Sequence, residues 1–166
     1  MDRTHNWDLK ITSERGWFNF DIEAISSALG ISEEDTEAYF TDGRRVSFLI
    51  ERRHRDAMPG STLAPSEGAG YDLVDANGGH WEVRSLTRGG IYFCPSVMVG
   101  AGRSFDEDGF LEKLDDVEGY FVTDVTQFPN MPYWIITAEE VRDWWFSGTL
   151  GTTSKISYNK ACNLLE

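Results

Sequence analysis

The stretch that most constrains this chain is Gly70 to Leu86, which reads GYDLVDANGGHWEVRSL. Two β-prone runs, Tyr71 to Asp75 and Trp81 to Leu86, flank Ala76-Asn77-Gly78-Gly79, and Asn-Gly between such runs is a strong hairpin signal. Loop length decides which polar residues meet. A two- or four-residue loop sets Asp72 opposite Val83 and turns it away from Glu82. A three-residue loop, Asn77-Gly78-Gly79, sets Asp72 across from Arg84 and Val74 across from Glu82, with Gly79 supplying the left-handed residue that such a loop needs. Strand side chains alternate with period two, so Asp72, Glu82 and Arg84 then share one face. Two carboxylates beside a cation suit a hard divalent metal and an anionic substrate. The plain structural alternative is a solvated face with a cross-strand ion pair.

The remainder of the chain reads as alternating helices and strands. Helices are predicted over Asp21 to Leu29, over a short segment from Ser32 to Phe40, and over Arg44 to Met58. Pro59 to Gly70 is a loop by composition, with Glu67 a spare acid near its end. After the hairpin, Thr87-Arg88-Gly89-Gly90 turns into a third strand, Ile91 to Cys94. The two glycines allow either a close phosphate contact or a plain turn. Ser104 with Glu107 resembles a capping box opening a helix to about Val117. Gly119 to Thr126 is a nearly continuous β run of the kind a central strand needs. Tyr133 to Ile136 returns as another strand, Thr137 with Glu140 caps a helix, and Ile156 to Leu165 ends in one. The first twenty residues, with Trp7, Trp17, Phe18 and Phe20, show no clean period and read as a piece packing on the core.

Asp, nine residues, then Glu-x-basic on a hairpin resembles the PD-(D/E)xK nuclease superfamily, and within it the type II restriction endonucleases. The Asp-x-Val-Asp opening at 72–75 and Ser85 after Arg84 add to the likeness, as does the strand–helix–strand–strand–helix order that follows. Arg84 stands where the family usually has Lys. The resemblance implies an α/β (α+β) fold with a restriction-endonuclease-like core, its mixed central β-sheet flanked by helices. It implies one domain over 1–166, with an N-terminal helical or arm region (1–43) and a nuclease-like core (44–166). It further implies a Mg²⁺-dependent endodeoxyribonuclease, with Mn²⁺ as a substitute. Asp72, Glu82 and the Val83 carbonyl would be metal ligands, and Arg84 the cation at the third position. Glu51, on the preceding helix, resembles the glutamate that related nucleases place near the metal, and an i,i+4 salt bridge to Arg55 is its structural alternative. Arg88, Arg103 and Lys155 would contact double-stranded DNA, and cutting both strands implies a homodimer.

Charge pulls the other way. A net charge of −13 and a pI near 4.6 do not fit a protein that binds nucleic acid by overall attraction. The acids are uneven, however: Arg44, Arg45, Arg52, Arg53 and Arg55 cluster before the hairpin, while 106–118 holds seven acids and one lysine. A basic patch confined to the cleft, a high-salt surface, and an acidic face for a protein partner all remain open. In the last case the fold would be a nuclease scaffold that binds DNA or protein without cutting. His54 reads as a surface or packing residue. Cys94 and Cys162 lack metal-ligand spacing and read as small buried hydrophobes. With no long apolar run and no signal-like start, the chain reads as cytoplasmic, without a membrane partner.

Overall fold

A computed structural model describes residues 14–66 and 68–166, so Trp7 and Glu67 lie outside the described residues. The fold is mixed α/β, with a central sheet flanked by helices. A first strand, β1 (Glu14–Asn19), precedes three helices, α1 (Ile22–Leu29), α2 (Glu33–Phe40) and α3 (Gly43–Ala57). Each helix starts where a short polar side chain can accept an orphan backbone N–H. Asp21 Oδ1 accepts from Ala24 N at 3.0 Å, Ser32 Oγ from Asp35 N at 3.0 Å, and Asp42 Oδ1 from Arg44 N at 2.9 Å.

The chain then enters β2 (Thr62–Leu63), β3 (Leu73–Val74) and β4 (His80–Leu86). The stretch expected to be loop from Pro59 to Gly70 therefore contains a short strand, where two residues free of Gly and Pro pair with β3. Next comes β5 (Ile91–Tyr92), then α4 (Glu107–Asp116), β6 (Gly119–Asp124), β7 (Asn130–Thr137) and α5 (Ala138–Phe146). The expected Ser104 box is not the helix start: Asp106 caps α4 instead, accepting from Gly109 N at 3.1 Å. The Thr137–Glu140 capping box forms as expected. The chain closes with β8 (Lys155–Ile156) and α6 (Tyr158–Leu165).

The main sheet runs β1-β7-β6-β4-β3-β2. Its neighbours are antiparallel except β4 and β6, which run parallel, and α4 lies in the crossover between them. The third strand, β5, does not join this sheet. A Thr87–Gly90 turn redirects it to pair with β8, and a Cβ on Gly90 would stand 2.1 Å from the Ile156 carbonyl oxygen. The two glycines thus serve a turn and a close strand approach.

Every residue of β6 is buried, because both of its faces are covered. Tyr120 and Val122 pack with Phe110, Leu114 and Val141 under α4 and α5, while Phe121 packs with Val46, Ile50 and Tyr133 under α3. His54 belongs to the second cluster, its ring set against Phe18, Phe121 and Tyr133 and its Nε2 2.8 Å from Thr123 Oγ1. Burial, with Arg53 adding to it, pushes His54 down to about 3, so it packs as a neutral ring. Cys94 is fully buried and Cys162 half-buried, and neither forms a disulfide.

The β6–β7 approach generates a prediction. A Cβ on Gly119 would sit 2.1 Å from the Ile136 carbonyl oxygen, whereas one on Gly68 would meet nothing. Gly119→Ala is expected to cost at least about 2 kcal/mol in denaturant melts and Gly68→Ala less than about 0.5 kcal/mol.

Candidate active site

The hairpin forms, but one residue earlier than expected. Its three-residue loop is Ala76-Asn77-Gly78, closed by Asp75 N donating to Gly79 O at 2.8 Å, and Gly78, at φ 84°, takes the left-handed position instead of Gly79. Asp75 sets this register. Its Oδ1 accepts from Asn77 N and Gly79 N at 2.9 and 2.8 Å, and its Oδ2 from Trp81 Nε1 at 2.8 Å. Leu73 consequently pairs with Trp81, and Val74 with His80. One step further, Asp72 faces Glu82, not Arg84. The shift is an even number of residues, so the shared face of Asp72, Glu82 and Arg84 survives it.

β3 ends as a backbone ladder at this point. Asp72 N donates to Trp81 O at 2.9 Å, and the Asp72 side chain then takes over, its Oδ2 accepting from Val83 N at 2.8 Å. Beyond Asp72 the two strands part. The gap opens a cleft of about 1130 Å³ that Glu51, Asp72, Val83 and Arg84 help to line.

Alternation sends Trp81 and Val83 toward the α3 side and Leu86 toward the α4 side, so Glu82 and Arg84 lie beneath α4. Glu82 is only 5% exposed. Both of its oxygens are in ion pairs: Oε2 with Arg84 Nη1 at 2.7 Å, and Oε1 with Lys113 Nζ from α4. Lys113 was not among the residues expected at the site. Its sequence signal is faint but present, since it is the one lysine in the acidic 106–118 stretch and sits between the buried Phe110 and Leu114.

Arg84 is held by more than Glu82. Its Nη2 donates to Cys94 O and its Nη1 to Val83 O, both at 3.4 Å, and the Tyr92 ring centre lies 5.7 Å away. Burial works to lower the guanidinium's pKa. Glu82, aided by Tyr120, Asp72 and Tyr92, outweighs it and holds the group above the usual arginine range. Asp72 moves the opposite way to a normal carboxylate and is pushed up to about 7. Burial is the largest cause and the Glu82 charge the next. Glu51 adds to them, against the opposing Val83 N–H and Arg84.

Glu51 lines the cleft, and its charge reaches Asp72. The Arg55 pairing considered for it does not form, because Arg55 Nε pairs with Asp56 Oδ1 at 2.9 Å, while Arg52 Nη1 lies 4.0 Å from Glu51 Oε2. Among the three basic residues expected to meet DNA, only Arg88 lines the cleft. Arg103 Nη1 donates to Ser96 O and Val99 O at 3.0 and 3.3 Å, and Lys155 is exposed opposite Tyr92 in the β5–β8 ladder. Arg44 adds a further cation to the cleft, while Glu34 and Glu37 of α2 make another part of its wall acidic.

Among the described residues no three His, Cys, Asp or Glu side chains form a metal cage. The donor set that could hold an ion is smaller: Asp72, Glu82 and the Val83 carbonyl oxygen, all hard oxygens of the kind Mg²⁺ uses while keeping several waters. Burial first and the Glu82 charge next raise the Asp72 pKa, while Glu82 already has both oxygens in ion pairs and Glu51 has Arg52 at 4.0 Å. No protein-family model, no curated protein and no solved structure matches the chain. Among the described residues no helix is long and apolar enough to cross a membrane.

The Asp72 shift sets a sign. Its folded pKa lies above the ordinary carboxylate value of 3.8, so the folded state binds the extra proton between about pH 4 and 7. This residue's contribution to stability therefore falls as pH rises through that window. Asp72→Asn keeps an acceptor for Val83 N and removes the charge. It is expected to match the wild type near pH 4 and to exceed it by a few kcal/mol at pH 8, on the order set by 1.36 kcal/mol per pKa unit, as read by denaturant melts across pH.

Proposed function

We propose that this chain is a metal-dependent DNA endonuclease of the PD-(D/E)xK kind, of restriction type, built on a restriction-endonuclease-like core and acting as a homodimer. One observation carries the reading: Glu51 from α3, Asp72 from beside β3 and Arg84 from β4 line one cleft, with Glu82 buried next to it and ion-paired to Arg84. The order of elements, with the hairpin followed by strand, helix, two strands and helix, supports it.

Asp72, Glu82 and the Val83 carbonyl would hold Mg²⁺ or Mn²⁺. The ion would supply Lewis acidity toward the phosphodiester and an activated water. Arg84, its Nη groups engaged by Glu82, Val83 O and Cys94 O, offers a permanent positive charge at the cleft, and it does not serve as a base. Arg44 and Arg88 would neutralise backbone phosphates on the cleft walls, making binding salt-dependent. The Asp72 proton competes with the metal, so activity rises with pH until that carboxyl is ionised.

Asp72→Asn and Glu82→Gln are each expected to cut plasmid and phage DNA at least about a hundredfold more slowly than the wild type. The assay uses Mg²⁺ and then Mn²⁺, from low to molar salt. Wild-type cleavage should climb steeply up to about pH 7 and level off above it, following Asp72. Undiminished cutting by both variants would sink the proposal. A second reading, a nuclease scaffold that binds DNA or a protein partner without cutting, draws on the double ion pairing of Glu82 and the acidic wall of α2. No cleavage at any salt, with Arg84→Lys equally inert, would favour it.

A further inference from the structure

Helix α3 is a basic element in an acidic chain. It carries five of the chain's eleven arginines, against Glu51 and Asp56, within a net charge of −13. Val46, Ile50 and His54 fix its inner face in the core, and Arg53 turns back over Phe18 and Phe20 at 5.2 and 5.7 Å. Arg44 and Ser47 line the cleft. At about 3.6 residues per turn, Arg45, Phe48 and Arg52 then form one outward stripe beside that lining.

Phe48 is 65% exposed and contributes nothing to either core cluster. A single exposed apolar residue is ordinary on a protein surface, but this one belongs to a set. The Arg52 guanidinium lies over its ring, 3.2 Å from the ring centre, with Nη1 donating to Phe48 O at 3.0 Å. On the adjacent helix α2, Tyr39 is 45% exposed, and the Arg45 guanidinium stands 5.7 Å from its ring centre. Tyr39 is itself propped edge-on against Phe40, whose ring stacks on the buried Phe128 at 4.8 Å. Tyr39, Arg45, Phe48 and Arg52 thus make a row of alternating rings and guanidinium groups along the outer rim of the cleft. Their acidic neighbours stand off, with Asp42 Oδ2 3.6 Å from Arg45 Nε and Glu51 Oε2 4.0 Å from Arg52 Nη1. Rings that offer a flat face, interleaved with cations, match a strand whose bases alternate with phosphates. An acidic protein segment would use the cations and leave the rings without a counterpart.

We propose that this α2–α3 rim binds an unpaired stretch of nucleic-acid strand, with Phe48 and Tyr39 stacking on bases and Arg45 and Arg52 neutralising phosphates. A duplex keeps its base faces against one another, so the rings select a single strand, such as an overhang or a displaced strand. At Phe48 the base takes the ring surface that Arg52 leaves open. The inference adds a substrate class to the nuclease reading and rests on it only for where the strand leads, into the cleft beside Arg44.

The test uses the full chain in EDTA, with fluorescence anisotropy on a labelled oligothymidylate and on a blunt duplex. Phe48→Ala, Phe48→Leu, Phe48→Trp and Arg45→Gln are each checked for folding by thermal melting. Phe48→Ala is expected to bind the single strand about ten- to hundredfold more weakly, the usual loss when one stacking ring is removed. Its duplex binding, governed by phosphates, should change by less than about twofold. Phe48→Leu keeps an apolar side chain without a π face and should lose as much as Phe48→Ala, whereas Phe48→Trp should bind at least as tightly as the wild type. Arg45→Gln should lower the salt dependence of single-strand binding by roughly 0.7 in logarithmic slope.

Equal wild-type affinity for the two DNAs, or undiminished single-strand binding by Phe48→Ala, would overturn the inference. Full affinity in Phe48→Leu would do the same, because plain apolar contact would then suffice. Capture of polyglutamate with neither DNA bound would assign the rim to an acidic protein partner instead. EDTA keeps cleavage out of the readout. If the chain cuts no DNA, the nuclease reading falls and the strand-binding result stands by itself.

Discussion

The parallel ladder between β4 and β6 is the constraint from which the rest of this structure follows. Parallel neighbours cannot be joined by a tight turn, so the chain must leave the sheet and return, and here it does so through α4. That crossover covers one face of β4 and places Glu82 and Arg84 in a dry setting. It also makes β6 a fully buried strand, with one apolar cluster on each side of it. The sheet thereby acquires a closed centre at β6 and a short-stranded margin of β3 and β2, where pairing of β3 with β4 stops after two residues. The cleft lies at that margin.

Placing charge in such a setting demands compensation. A buried carboxylate with one partner removed is strongly unfavourable, and Glu82 has two partners. Asp72, by contrast, has a backbone N–H and a more distant guanidinium against the charges of Glu82 and Glu51. Burial first and the Glu82 charge next raise its proton affinity, so an ionised Asp72 costs the fold stability. The chain's overall −13 charge is not repeated evenly at this place. Arg44, Arg84 and Arg88 line the cleft beside acids from α2 and α3, so its lining is of mixed sign.

Around this site the fold relies on buried polar groups that find partners within the protein. His54 and Thr123 pair inside the α3-side cluster, and Tyr120 Oη donates to Phe93 O at 2.9 Å inside the other. Asp124, at the end of β6, is satisfied by Thr126 and Tyr158, which ties the last helix to the central strand. These bonds link the small β5–β8 sheet and α6 to the main sheet.

Much of this was legible in the residues. Period-two alternation puts Glu82 and Arg84 on one face whatever the strand's surroundings, and the polar starts of α1 and α2 and the capping box of α5 are local events within four residues. A three-residue loop could be read from Asn77-Gly78 and its flanks. Which three residues it comprised could not, because the choice lies with the Asp75 carboxylate and its reach to Trp81. The tertiary structure also decided that β5 pairs with β8, that Glu51 faces the cleft and not Arg55, and that Lys113 meets Glu82 across thirty-one positions of chain. The physical reason is common to all three. Alternation, capping and turn chemistry act between near neighbours and are written in short windows, whereas charge pairing and strand adjacency depend on which distant surfaces the crossover and the packed helices bring together.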